Sequence, residues 1–89
     1  MKIKSGFEMH EIAGKTIVVA VDERANTFNG MVTLSGGAIE IWRLLQEKDM
    51  TEDEIVSDLA SRFEGDEQFI REDVRKFVGQ LRENDFLDA

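Results

Sequence analysis

The sequence contains no cysteine and no proline, and it has a single histidine among its 89 residues. Without cysteine there can be no disulfide framework, no zinc–thiolate site and no cysteine nucleophile. No apolar run approaches the roughly 18 residues that a membrane-spanning helix requires. No apolar segment typical of a signal peptide follows Lys2 and Lys4. These absences argue against disulfide-stabilised and membrane-spanning classes, and we expect a cytoplasmic protein that does not bind a membrane.

The composition is that of a folded globular chain, with 42% apolar and 34% charged residues. A chain of this length holds one small core and buries only a little over ~60% of its unfolded surface. No repeat, proline-rich stretch or low-complexity linker divides the sequence. We therefore expect residues 1–89 to form a single domain of modest stability.

Charge is distributed unevenly along the chain. Residues 1–45 carry five acids and five bases, whereas the remaining residues carry fourteen acids and six bases, which accounts for the whole net charge of −8. Nucleic-acid affinity depends largely on Lys and Arg displacing counterions from phosphates. The acidic balance therefore argues against a nucleic-acid partner, although it is also what solubility alone would favour.

Three short strands are predicted in the first third of the chain. Phe7 to Ile12 partly alternates, Ala13-Gly14 marks a tight turn, and Ile17 to Val21 is a continuous apolar run. Met31 to Leu34 forms the third strand after a polar loop. Strands followed by helices favour an α+β layering with the second strand in the centre, which would leave an outer strand with unpaired N–H and C=O groups.

Two helices are predicted in the second half. Thr51 and Glu54 have the spacing of a capping box, and Gly65 stands where the C-terminal cap of that helix is expected. The next helix is expected to start near Asp66 and to end near Asn84. Its buried positions are Ile70, Val74, Phe77 and Leu81. Phe86-Leu87 is expected to fold back onto the core.

The most informative segment runs from Phe28 to Leu45, where the apolar period changes from two to 3.6 within about five residues. The turn signal Asn29-Gly30 precedes Met31 to Leu34, and Ser35-Gly36-Gly37 ends that run. A helical pattern follows at Ala38, Ile41, Trp42 and Leu45. A strand joined so closely to a helix is fixed relative to the core, so it can serve as an edge on which another chain docks.

This segment resembles the signature of the PqqD family, the small leader-peptide-binding modules also called RiPP recognition elements. The matching motifs are Phe28-Asn29-Gly30, Met31 to Leu34, Ser35, Ile41-Trp42-Arg43-Leu44-Leu45, Thr51 to Val56, Arg71 to Val74 and Leu81 to Glu83. They cover nearly the whole chain in the family's order and spacing. One departure is Gly36-Gly37, which replaces the more usual polar pair at the helix start. We therefore expect a looser joint between strand and helix.

The resemblance implies a winged helix-turn-helix-like α+β fold, with a small three-stranded antiparallel sheet packed on a three-helix bundle. It implies a non-catalytic adaptor that binds the leader region of a ribosomally made precursor peptide by β-strand addition. The adaptor would present this peptide to a modifying enzyme, expected to be a radical-SAM enzyme. The implied edge is the third strand, with the third helix as the other wall of the groove. The residues of this edge strand are Gly30, Met31, Val32, Thr33 and Leu34.

Sequence alone leaves open which face of the third strand meets the helix. It does suggest a mutational test of the edge, because proline lacks a backbone N–H. On this interpretation, Val32→Pro is predicted to remove one edge donor.

The third helix carries a second signal. At about 100° per residue, Arg71, Arg75, Val78 and Arg82 fall within a strip of roughly 60° that borders the core face. Together with Val74, these residues predict a groove lip for an acidic, partly apolar peptide. The alternative is a solvated face with intrahelical pairs such as Glu67–Arg71, each worth only ~0.3–0.5 kcal/mol.

No catalytic or metal-binding motif is apparent. His10 is the lone histidine and no Ser–His–Asp arrangement can be assembled around it. Glu52-Asp53 lies at a helix N-terminus, where the macrodipole already favours negative charge. We therefore expect no enzyme activity, no cofactor and no metal.

Two other interpretations remain. A winged-helix DNA-binding regulator would also combine three helices with a small sheet, but residues 67–85 hold five acids against four bases. A structural oligomer is possible because an exposed strand edge favours self-association. We expect a monomer or a weak homodimer.

Overall fold

The computed structural model describes residues 1–26 and 31–88. These residues form five strands, three α-helices and one 3-10 helix. The strands are β1 (Lys2–Ile3), β2 (Phe7–Ile12), β3 (Lys15–Ala20), β4 (Met31–Leu34) and β5 (Leu87–Asp88), and the helices are α1 (Gly37–Glu47), α2 (Glu52–Arg62) and α3 (Glu67–Glu83), with the 3-10 helix at Asp22–Asn26.

The main sheet is antiparallel with the order β2-β3-β4. This confirms the predicted α+β fold with the second predicted strand in the centre. The hairpin between β2 and β3 turns at Ala13 and Gly14, whose φ angles are 53° and 78°. Positive φ at both central residues is the geometry of a two-residue type I′ hairpin turn. The turn brings Ile12 opposite Lys15 and so sets the register of the whole sheet.

One face of the sheet packs against the helices. Phe7, Val18 and Leu34 point to this face and are buried with the apolar sides of all three helices. Glu8, His10 and Thr33 have the opposite parity and are exposed. Only one face of the sheet packs against the helices, and the outward face also carries Ile12 and Met31, which are 57% and 65% exposed.

An aromatic cluster fastens the two ends of the chain to the first helix. The Trp42 ring lies 6.1 Å from Phe7 and 5.4 Å from Phe86 between centroids, in edge-to-face arrangements. Phe86 is only 3% exposed, which confirms that the segment Phe86-Leu87 folds back onto the core. The following strand β5 pairs with β1 rather than with the main sheet.

The helix ends follow the predicted signals with one exception. Thr51 and Glu54 form a complete capping box, and Asp66 caps the start of α3 through a hydrogen bond from the Gln68 N–H. The prediction that Gly65 caps α2 is wrong, because the helix ends at Arg62 and Phe63 is the cap residue. The extended backbone of Phe63 ends the helix without requiring a left-handed glycine.

In the part of the chain that the structure describes, no helix combines the length and apolar character needed to cross a membrane. The same residues contain no group of three or more His, Cys, Asp or Glu side chains placed to hold a metal ion.

The capping box gives a direct test of the helical layer. Replacing Thr51 by alanine removes the side-chain acceptor of the Glu54 N–H, so Thr51→Ala should lower the free energy of unfolding by about 1 kcal/mol. Urea denaturation followed by circular dichroism measures this loss. The matched control is Ser57→Ala, at an exposed position within α2. An equal effect of the two substitutions would contradict the capping assignment.

Candidate functional site

The outer edge of β4 is open. β3 pairs with one side of β4, and no described strand pairs with the other side. The C-terminal strand, which could have covered this edge, pairs with β1 instead. The edge therefore presents backbone groups that a further strand can bind.

The ladder shows which backbone groups of β4 point outward. Just beyond the ends of β2 and β3, the Val21 N–H donates to the Gly6 carbonyl at 2.8 Å, so these two residues occupy a hydrogen-bonded position of the ladder. Hydrogen-bonded pairs alternate along an antiparallel ladder. Val18 therefore directs its backbone groups toward β4, where its partner is Val32.

The same alternation places the remaining backbone groups of β4. Leu34 pairs with Thr16 in the same way, so the N–H and C=O of Val32 and Leu34 bond within the sheet. Those of Met31 and Thr33 point to the open edge. This corrects the predicted role of Val32, because a proline there would break a bond inside the sheet rather than remove an edge donor.

The opposite edge of the sheet, formed by β2, is partly covered by a side chain of α1. On β2 the outward groups include the Phe7 carbonyl, and the Gln46 side chain donates a hydrogen bond to it at 3.0 Å. This bond also supports the deduced alternation, since it requires the Phe7 carbonyl to point away from β3. Neither Met31 nor Thr33 has such a partner among the described residues. The edge of β4 is thus the less protected one.

The side chains of β4 divide between its two faces. Leu34 is 5% exposed and Val32 is half-buried, and both lie on the helix side of the sheet. Met31 is 65% exposed and shares the opposite face with Thr33. The question left open by the sequence is therefore answered, since Val32 and Leu34 face the helices.

A short joint of two residues, Ser35 and Gly36, links β4 to α1. Gly36 precedes the helix with φ 58° and has no side chain to cap it, and in the first turn the Ala38 N–H donates to the Ser35 carbonyl at 3.3 Å. The positive φ explains why glycine occupies position 36. Gly37 has an ordinary φ, and a Cβ at this position would meet no heavy atom within 4 Å.

A shallow space lies between this joint and α3, and we call it the β4–α3 groove. Its volume is about 250 Å³. Its lining residues are Ser35, Gly37, Ala38, Asp73, Lys76, Phe77 and Gln80. Phe77 and Ala38 are half-buried against the core and supply the apolar floor. The groove begins directly beyond the C-terminal end of β4.

A second space, which we call the helix-junction cavity, lies next to the first. It measures about 290 Å³. It is lined by Gly36, Gly37, Glu40, Leu59, Phe63, Ile70, Asp73 and Val74. The two spaces share Gly37 and Asp73 as lining residues, so they lie side by side along a single flank of α3.

The structure does not bring the arginine strip to either of these two spaces. Phe77 and Asp73 lie on one side of the buried stripe of α3, and at about 100° per residue Arg71, Arg75 and Arg82 lie on the other. Arg71 contacts α2, where its guanidinium bonds Asp53 at 2.6 Å. Arg75 and Arg82 are exposed.

Two ion pairs, with Asp53 and Glu67, keep the Arg71 side chain beside α2. The hydrogen bond to Asp53 and the nearby charge of Glu67 raise the pKa of the Arg71 guanidinium above its ordinary value. Glu67 also forms the expected intrahelical pair with Arg71, at 3.7 Å. This arginine therefore links α3 to the start of α2, facing away from β4.

The remaining predicted site residues are placed as follows. Val78 is fully buried, and Val74 is 1% exposed but lines the helix-junction cavity. Gly30, together with Phe28 and Asn29 of the recognised motif, lies outside the described residues.

Sequence reasoning missed Asp73, Lys76 and Gln80 as lining residues, and it treated Phe77 only as core. The sequence did not indicate which side of α3 faces β4. The helical period fixes angles around an axis but not the direction of the neighbouring strand. Ala38 could have been found, because it opens the helix that follows the edge strand.

The alternation along β4 predicts a specific pattern of amide hydrogen exchange. The N–H groups of Val32 and Leu34 should exchange at least about tenfold more slowly than those of Met31 and Thr33, since tenfold corresponds to only ~1.4 kcal/mol of protection. Exchange measured by NMR on the free protein checks this. Slow exchange at Thr33 with fast exchange at Val32 would contradict the register.

Comparison with known proteins finds the same fold in a solved structure. A solved structure titled "TbiB1 in Complex with the TbiA(beta) Leader Peptide" matches with a TM-score of 0.74 and 21% sequence identity, over 100% of this chain and 96% of that one. No curated protein matches the chain. The family model described as "Coenzyme PQQ synthesis protein D (PqqD)" matches residues 15–87. Since this match spans most of the chain, the protein belongs to the PqqD family.

Proposed function

We propose that the protein is a non-catalytic adaptor that binds the leader region of a ribosomally made precursor peptide. The peptide adds a strand to the outer edge of β4, and the adaptor presents it to a modifying enzyme of the radical-SAM class. The observation that carries this proposal is the open edge of β4, with the β4–α3 groove and its floor of Phe77 and Ala38 just beyond the end of that strand. A bound strand satisfies the outward groups of Met31 and Thr33 while its side chains enter the groove.

The register defines how a guest strand would bind. Met31 and Thr33 each offer one N–H and one C=O, so the described part of the edge can make up to about four backbone hydrogen bonds. Guest residues alternate between faces. Those on the side of Val32 and Leu34 lie toward the helices, and those beside Met31 and Thr33 lie on the exposed face of the sheet. The backbone hydrogen bonds thus contribute affinity, and the guest residues on the helix side determine which peptides bind.

The comparisons support the proposal in two ways. The PqqD family model matches residues 15–87, and this range includes β4 and the motifs by which the chain resembles leader-peptide-binding modules. TbiB1, which shares the fold, was solved in complex with the TbiA(beta) leader peptide. An affinity near micromolar, about −8 kcal/mol, would suit an adaptor that must release its peptide.

Only part of the predicted residue set enters the proposed site. Met31, Val32, Thr33 and Leu34 form the docking strand, with Gly30 as its expected extension. Phe77 replaces Val78 as the apolar contact on α3, because Val78 is enclosed in the core. The three arginines are on the other flank of α3 and are not part of the proposed groove.

Thr33→Pro tests strand addition. Proline at this position removes an outward donor, and an edge strand tolerates it because the lost N–H faces solvent in the free protein. Affinity for a synthetic leader peptide that binds the unmodified protein should fall roughly two- to twelvefold, as expected for one net hydrogen bond. Isothermal titration calorimetry measures the change.

Two further variants provide the controls. Thr33→Val keeps the N–H and the strand propensity, so its affinity should stay close to that of the unmodified protein. Val32→Pro should instead lower the stability of the sheet, because it interrupts the bond to Val18. Unchanged peptide affinity in a folded Thr33→Pro protein would refute docking at this edge.

A further inference from the structure

The outer edge of β2 is covered at one end only. The backbone groups that point away from β3 belong to Phe7, Met9 and Glu11, because hydrogen-bonded positions alternate along the ladder between β2 and β3. The Gln46 side chain binds the Phe7 carbonyl. Among the described residues, nothing donates to or accepts from the outward groups of Met9 and Glu11. These two residues therefore offer their N–H and C=O groups to another strand.

The open part of this edge lies at the end of the sheet that the helices do not cover. Every residue from His10 to Lys15 is exposed. Phe7 and Glu11 lie on the same face of β2, the face toward the helices, yet Phe7 is buried and Glu11 is exposed. The helix layer therefore ends before the hairpin does. A second protein molecule can approach the edge here from the side without having to displace a helix.

The edge is complementary to a second copy of itself. Two antiparallel copies of one strand related by a two-fold axis make every contact twice. If the axis passes beside His10, Met9 lies opposite the second copy's Glu11, and Glu11 lies opposite its Met9. Both pairs then occupy hydrogen-bonded positions, so the two strands make about four backbone hydrogen bonds. This pairing satisfies all the open backbone groups of Met9 and Glu11 in both copies.

The neighbouring registers are less favourable. An axis beside Met9 would pair Phe7 with Glu11 and would compete with Gln46 for the Phe7 carbonyl. An axis beside Glu11 would place the two Glu11 side chains directly opposite each other, and like charges in that position destabilise a sheet. In the register centred on His10 the two Glu11 residues are only diagonal neighbours, at about 7–8 Å. Gln46 and Glu11 thus favour this one register.

The side chains on the outer face also fit this register. His10 lies opposite the second copy's His10, and Ile12 lies opposite Glu8. Within one copy the Glu8 carboxylate lies 3.4 Å from the His10 imidazole. Across the axis Glu8 becomes a diagonal neighbour of the second His10, so an acidic side chain from each copy adjoins each imidazole. Ile12, which is 57% exposed in the single chain, gains a neighbouring strand on its open side.

We infer that two copies of this chain pair through β2, antiparallel and centred on His10. The pairing joins two three-stranded sheets into one sheet of six strands. The β4 strands lie at its two outer ends, so self-association and the proposed peptide docking use different edges. Gln46 has a positioning role in this dimer, because it keeps Phe7 out of the pairing. This inference does not depend on the proposed function.

Single cysteines test the register directly, because the sequence contains none. In the dimer the two Cα atoms at position 10 lie about 4.5 Å apart, as in other non-hydrogen-bonded antiparallel pairs. That spacing allows a disulfide, which needs ~4.4–6.8 Å between the Cα atoms. The His10→Cys protein should therefore crosslink to a second copy of itself under mild oxidation. A non-reducing gel measures the crosslinked fraction.

Ile12→Cys is the matched control on the same exposed face. In the dimer position 12 lies four residues along the strand from its own copy, or about 13 Å at ~3.3 Å per residue. Its crosslinked fraction should therefore be at least about tenfold lower than that of His10→Cys. A mixture of the Glu8→Cys and Ile12→Cys proteins should form the mixed disulfide, because these positions lie opposite each other. Equal crosslinking of His10→Cys and Ile12→Cys would refute the register.

Sedimentation equilibrium measures the strength of self-association. The unmodified protein should shift from monomer toward dimer as its concentration rises to about 1 mM, where a few net hydrogen bonds suffice to populate a contact. Glu11→Pro removes one outward donor from each copy and should raise the Kd of the dimer roughly five- to 150-fold. Glu11→Gln keeps both donors and should dimerise at least as well as the unmodified protein. A protein that stays monomeric up to about 1 mM would overturn the inference.

Thr33→Pro separates this inference from the proposed function. A dimer that persists in Thr33→Pro and dissociates in Glu11→Pro would support pairing through β2, whatever the peptide affinity of either protein. A dimer that dissociates in Thr33→Pro and persists in Glu11→Pro would show that the copies pair through β4. That result would overturn this inference and leave peptide docking at the β4 edge to its own test.

Discussion

The antiparallel pairing of β4 with β3 is the interaction on which the proposed site depends. It turns the backbone groups of Val32 and Leu34 inward and leaves those of Met31 and Thr33 at the open edge. A slip of one residue would reverse both the donors and the side chains. The burial of Leu34 in the core opposes such a slip, because its side chain would move from the helix layer into water.

The rest of the fold holds that edge in position. Trp42 packs against Phe7 and Phe86, so the helix that follows β4 is tied to β2 and to the end of the chain. The C-terminal strand is engaged with β1 and does not cover the edge. At the other edge, Gln46 occupies one outward carbonyl of β2. These contacts leave the two edges of one sheet unequal, and they favour β4 as the place where a guest peptide adds.

Much of this arrangement was predictable from the sequence. The change of period after Leu34 and the capping box at Thr51 each report local structure, and both were confirmed. The predicted buried stripe of α3 was confirmed in part, because Val74 and Leu81 are buried while Ile70 and Phe77 are only partly buried. The pattern of period two in β4 separates its faces but not the direction of its N–H groups. That direction depends on the hairpin register set at Ala13-Gly14, which is why Val32 was mistaken for an edge donor.

The arginine strip illustrates a second limit of prediction from the sequence. Its residues do share one flank of α3, as their spacing predicts, but spacing cannot tell which flank faces the strand. Tertiary packing places Phe77 and Asp73 there and turns Arg71 toward Asp53 of α2. The two-residue strands β1 and β5 were not predicted, because segments this short carry no periodicity of their own.

Hydrogen exchange with and without a bound leader peptide would test strand addition at single amides. A guest strand on β4 should slow exchange at Met31 and Thr33 and leave Val32 and Leu34, already bonded within the sheet, nearly unchanged. Protection that appears instead around Arg71, Arg75 and Arg82, with Thr33 unaffected, would show that the peptide binds the opposite flank of α3 and would contradict docking at the β4 edge.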